Sequence, residues 1–177
     1  MYKPTEIKIL LIGEAPPPGG KTYFYKTPEK YTPTNKIESD TSLPGTIFNH
    51  FFKRRPLNTE EYGKFLDKLK RHGIFLIDIY EAPIKIRGNL EESLPIVFSE
   101  QNIDDLKQRV NKLISPDTTI VFLLARSYPK RYLSRLKAVL GNAEFVRWIE
   151  FRMNPGRLLS IDAPLYFCSK SKLTGLV

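Results

Sequence analysis

The stretch from Lys8 to Tyr25, KILLIGEAPPPGGKTYFY, limits the possible folds more than any other part of the chain. It opens with a short apolar run, Ile9 to Ile12, of a length that suits a buried strand. Gly13, Glu14, Ala15 and three consecutive prolines end that run. Proline fixes φ and has no N–H to give to a ladder, so strand pairing stops there. Gly19-Gly20 and the triplet Tyr23-Phe24-Tyr25 follow. The pattern predicts a stiff loop carrying one carboxylate and a group of aromatics, at the C-terminal tip of a central strand. In open α/β sheets, ligands bind at that edge. The same residues also suit a surface turn whose aromatics pack on the core.

Three more segments read as strands: Ile74 to Ile79 (IFLIDI), Thr118 to Ala125 (TTIVFLLA) and Phe145 to Phe151, which alternates apolar and polar residues. Helical patterns separate them. Ile47, Phe48, Phe51 and Phe52 repeat at helical spacing after a Thr46 cap, and Pro56 ends that helix. Asn58 or Thr59 caps the next, with Glu60 and Glu61 complementing the dipole in its first turn and His72-Gly73 ending it. Asn102 to Ile114 is amphipathic, and Lys130 to Leu140 is a basic helix ended by Gly141-Asn142. Residues 26 to 46 read as a long loop and residues 84 to 99 as a mixed connector. Four strands separated by helices predict one α/β domain over residues 1–177, a three-layer sandwich around a central, mainly parallel four-stranded sheet.

Asp78 interrupts an otherwise apolar strand, and a carboxylate there needs a reason. It is either a structural acceptor for backbone amides or an arginine, or a group that recognises a ligand. No Gly-rich phosphate loop of the GxGxxG or Walker type occurs, so a nucleotide cofactor lacks its motif. His50 and His72 fall in helical patterns and form no metal-ligand set, and no metal is expected.

Composition narrows the classes further. A single cysteine, Cys168, excludes an internal disulfide and any four-cysteine cluster or metal site. No stretch is long and apolar enough to span a bilayer, and Met1 to Leu10 lacks a signal-peptide core, so a cytoplasmic protein without a membrane partner is the expectation. A formal net charge of +9 points to a polyanionic partner, or to a basic but otherwise ordinary surface. The basic residues form local clusters, at Lys53-Arg54-Arg55, Lys68 to Arg71 and Lys130-Arg131, rather than a tail, which suits a folded face.

A first strand running into Gly13-Glu14-Ala15-Pro16, a second strand bearing Asp78, and a last strand running into Asn154-Pro155-Gly156 together resemble the uracil-DNA glycosylase superfamily, especially its iron–sulfur branch. That branch carries an asparagine where Asp78 falls and His-Pro-Ser where Asn154-Pro155-Gly156 falls; the mismatch-directed branch has Asn-Pro-Ser there. The resemblance implies a uracil-DNA glycosylase-like fold, DNA or single-stranded nucleic acid as partner, a monomer, and hydrolysis of an N-glycosidic bond to release uracil or another damaged or mismatched base. With no cluster cysteines, it implies no iron–sulfur centre.

The resemblance also implies roles for particular residues. Glu14 would orient a water and stabilise a cationic sugar. Asn154 would donate to the departing base, as an oriented donor worth roughly 3–4 kcal/mol. Tyr23, Phe24 or Tyr25 would stack on an extruded base, for about 1–3 kcal/mol, and Asp78 would read the base edge. Gly13 and Gly156 through their backbones, and Arg126, Arg152 and Arg157 through their guanidinium groups, would meet the nucleic-acid backbone. Leu158 or Leu159 would wedge into the gap, or else belong to the core.

Asp78 in place of asparagine changes the recognition problem. An asparagine offers a donor and an acceptor, whereas an ionised aspartate only accepts. A uracil edge therefore requires Asp78 to be protonated or differently placed, and a donor-rich edge suits the ionised form. Two other readings remain open at the level of sequence: a non-catalytic DNA- or RNA-binding protein on the same fold, and an enzyme acting on a small nucleoside, as a hydrolase, or on an anionic metabolite, using Glu14 and Asp78 as acid and base.

Overall fold

The computed structural model describes residues 2–16, 25, 47–48, 51–52, 54–85, 90–124, 130–139 and 146–150. At its centre lies a parallel sheet built from β1 (Ile9–Gly13), β2 (Ile74–Asp78) and β3 (Thr119–Leu124), with β1 in the middle. The register pairs Ile9 with Ile74 and Gly13 with Asp78 on one side of β1, and Ile9 with Thr119 and Ile12 with Phe122 on the other. Beyond β3, the backbone of β4 (Val146–Glu150) runs parallel to it, with Val146 opposite Ile120 and Glu150 opposite Leu124.

The strands are apolar because both faces of the sheet are covered. Side chains alternate between the faces. Leu10, Ile12, Ile120 and Phe122 enter one buried cluster, and Leu11, Ile74, Leu76, Val121 and Leu123 enter the other. The second cluster is closed by α1 (Thr59–Arg71) through Tyr62, Phe65, Leu66 and Leu69, and by helical residues Ile47, Phe48 and Phe51. Its aromatic rings meet edge-on, with Phe48 5.2 Å from Tyr62 and 5.5 Å from Phe65. The first cluster is closed by α2 (Leu90–Val97), α3 (Glu100–Asn111) and α4 (Lys130–Val139), through Leu94, Val97, Ile103, Leu106, Val110, Tyr132 and Leu136.

The ends of α1 follow local chemistry. Asn58 Oδ1 accepts from the Glu61 backbone N–H at 2.9 Å, which satisfies one orphan donor of the first turn, while Glu61 reaches back to the N–H of Leu57, the residue before the cap, at 2.6 Å. His72 stands at the C-cap, outside the helix, and Gly73 follows at φ +71°. From that turn, the Gly73 carbonyl accepts from both Lys8 and Ile9, which ties the end of α1 to the start of β1.

Two expectations about helices need correction. Residues 84 to 99 are not simply a connector, because α2 occupies Leu90–Val97 despite Pro95 within it. Leu94, Val97 and Phe98 are all buried, so tertiary burial overrides the missing proline N–H. The next helix begins at Glu100, not Asn102, because the Ser99 hydroxyl accepts from the Asn102 N–H at 3.3 Å and sets the cap earlier; it ends at Asn111 rather than Ile114. The expected long loop over 26 to 46 and the chain beyond Glu150 lie outside the described residues. Among the described residues no helix is long and apolar enough to cross a membrane.

Candidate functional site

Helix α1, which lies between β1 and β2 in sequence, packs on one face of the sheet, and α4, which follows β3, packs on the other. Where successive strands depart to opposite faces, a crevice opens beyond their C-terminal ends. Glu14 stands at that edge, immediately after β1, and Asp78 closes the neighbouring β2.

Backbone hydrogen bonds hold the two strand ends together past the sheet. Ile79 N–H donates to the Gly13 carbonyl at 2.9 Å, Tyr80 N–H to the Glu14 carbonyl at 3.1 Å, and Ile84 N–H to the Pro16 carbonyl at 3.1 Å. The Glu-Ala-Pro after β1 and the Glu-Ala-Pro after β2 thus run side by side, bringing Glu14, Asp78 and Glu81 to one mouth.

Asp78 is only 8 % exposed. Its carboxyl lies over the Gly13 backbone: a Cβ at position 13 would stand 2.5 Å from Asp78 Oδ1. Any side chain at 13 would therefore have to displace the Asp78 carboxyl. Burial pushes the Asp78 carboxyl up to about 7; the Arg109 guanidinium pulls in the other direction, and the charges of Glu14 and Glu81 add to the rise. Near neutrality the group is divided between its neutral and ionised forms.

Arg109, on α3, is a charged residue at this mouth that the sequence did not single out. Its Nη1 donates to the Asp78 carbonyl at 2.8 Å, its Nη2 donates to the Ile79 carbonyl at 2.8 Å, and Nη1 lies 3.3 Å from Glu81 Oε1. The arginine thus meets Asp78 through the main chain. The available signal was the position of Arg109 beside Val110 on an otherwise apolar helix face, but the partner lies 31 residues away in sequence.

Tyr25 stands at the outer edge of β2. Its hydroxyl accepts from the Leu76 N–H at 2.7 Å, and its ring packs between Tyr2, at 5.9 Å, and Phe75, at 5.6 Å. In this arrangement the tyrosine shields a free strand edge. Glu14, Gly13 and Asp78 are brought together; Tyr25 is engaged elsewhere on β2. Tyr23, Phe24, Arg126, Arg152, Asn154, Gly156, Arg157, Leu158 and Leu159 lie outside the described residues. Among the described residues no group of three His, Cys, Asp or Glu side chains could hold a metal ion. The chain matches no family model, no curated protein and no solved structure.

Proposed function

We propose that this protein is a base N-glycosylase, acting on uracil or another altered base in nucleic acid. One observation carries the reading: Gly13 is in register with Asp78, so Glu14 and Asp78 share the C-terminal mouth of two adjacent parallel strands. Those are the positions to which the resemblance assigns water activation and reading of the base edge. The full architecture that goes with it is a three-layer sandwich on a four-stranded, uracil-DNA glycosylase-like sheet in a cytoplasmic protein.

The chemistry follows from charge. Breaking an N-glycosidic bond leaves an oxocarbenium-like sugar and an anionic base. Ionised Glu14 orients a water and faces the cation. Asp78 in its neutral form presents one O–H donor and one carbonyl acceptor, the same pair that an asparagine presents to uracil O4 and N3–H. In this reading base recognition requires the proton, so base release declines as pH rises past about 7, where Asp78 ionises.

The test is base release from labelled single- and double-stranded oligonucleotides carrying uracil, hypoxanthine, a thymine mismatch or a modified cytosine. Release reduced by about 10²–10⁴ in Glu14→Gln supports the reading. An intact panel at every pH between 5 and 9 rejects it.

A second reading has its own observation. Glu14, Asp78 and Glu81 face a single Arg109, so the described part of the mouth is not cationic and offers little to phosphate. A small nucleoside suits such a mouth. Release of base from free nucleosides, with oligonucleotides untouched, would favour this alternative.

A further inference from the structure

The turn that follows β2 is held from outside the sheet. Arg109 projects from α3 and spans two successive carbonyls, those of Asp78 and Ile79, while its Nη1 also faces Glu81. Only a planar guanidinium reaches two adjacent acceptors with two parallel N–H groups; an ammonium supplies the charge without the fork. Asp78 is the last residue of β2, so wherever Arg109 sets its carbonyl, the Cα and the carboxyl follow.

Gly13 completes the arrangement from the other side. It leaves room for Asp78 Oδ1, and its carbonyl accepts from the Ile79 N–H. Ile79 is therefore fixed twice, by Gly13 through its N–H and by Arg109 through its carbonyl.

We propose that Arg109 is the positioning residue of this site, holding the end of β2 so that the Asp78 carboxyl stays buried above Gly13. The consequence for base reading rests on the function proposed above; the clamp is a property of the folded chain and is tested on Asp78 itself.

Among the described residues, three charged groups bear on Asp78. Arg109 on α3 favours the ionised form, whereas Glu14 after β1 and Glu81 after β2 favour the neutral one. On the α1 side, the buried residues are Tyr62, Phe65, Leu66 and Leu69, none of which is charged at neutral pH. Arg109 is thus the cation that limits how strongly Asp78 keeps its proton, as well as the group that sets its place.

The experiment is a carboxyl-carbon NMR titration of Asp78, read beside the Gly13 amide, in wild type, Arg109→Met and Arg109→Lys. In Arg109→Met the proton affinity of Asp78 should rise at least about threefold, because the guanidinium that favours its ionised form is gone. In Arg109→Lys the charge is kept and the fork lost, so the Gly13 amide resonance should move while the Asp78 midpoint changes less than in Arg109→Met. Should Arg109→Met fail to fold, the lysine variant decides by the Gly13 resonance. An unchanged Asp78 midpoint and an unchanged Gly13 resonance in every folded variant would overturn the proposal. Base release is not among the readouts, so failure of the glycosylase reading and failure of the clamp are seen separately.

Discussion

At the scale of single residues, Asp78 dominates the energetics of the site. Unfolded, its carboxyl titrates near 3.8; folded, it titrates at about 7. Between those values the folded chain holds a proton that the unfolded chain has released, so the contribution of Asp78 to folding stability falls as pH rises from about 4 to about 7 and stays low above that range. The ionised form is disfavoured by about 4 kcal/mol. Asp78→Asn should remove most of this penalty: urea unfolding near pH 8 should show a gain of a few kcal/mol that vanishes toward pH 4. An equal effect at both pH values would mean that the carboxyl is not held neutral. Gly13→Ala tests the other half of the contact. Its Cβ must displace Asp78 Oδ1, which lies on a short side chain with little space to retreat, so a loss of about 1–3 kcal/mol is expected, together with a shifted Asp78 titration.

At the scale of elements, the junctions matter more than the helices and strands they join. Gly73 adopts φ +71°, and a Cβ there would stand 2.9 Å from the Glu6 carbonyl oxygen. Both the left-handed backbone and the contact oppose a side chain, so Gly73→Ala should cost at least about 1–2 kcal/mol in thermal or urea unfolding. Asn58→Ala should cost about 1 kcal/mol, since it deprives the Glu61 N–H of its acceptor. Much of this level was legible in sequence: a cap at Asn58 or Thr59, of which the structure uses Asn58, the His72-Gly73 stop and the apolar cores of all three central strands follow from local composition. α2 was not, because Pro95 is a local signal against a helix and the burial of Leu94, Val97 and Phe98 is a non-local one in favour.

At the scale of the molecule, charge and site point in different directions. The whole chain carries a formal net charge of +9, yet the described mouth gathers Glu14, Asp78 and Glu81 around Arg109. If the partner is DNA, its phosphates must be met by basic residues other than Arg109, and Arg126, Arg152 and Arg157, near predicted strand ends, are the candidates that the sequence offers. Three such contacts give a slope of about −2.7 in log K against log[salt], or about a 40-fold loss of affinity between 50 and 200 mM salt. Fluorescence anisotropy with a duplex oligonucleotide reads this directly. A flat dependence would remove DNA as the partner and leave the nucleoside reading.

By itself, the sequence determined the α/β character and the positions of the strands, because short apolar runs bounded by proline, glycine and capping residues have few other solutions. It also marked Glu14 and Asp78 as carboxylates at strand ends. Only the tertiary structure decided that they share one mouth. That depends on β1 and β2 being adjacent and in a register that sets Gly13 beside Asp78, which no local pattern specifies. Arg109 was decided there too. Its acceptors are main-chain carbonyls, identical in every residue type, so nothing in the composition of β2 announces the residue that will hold it.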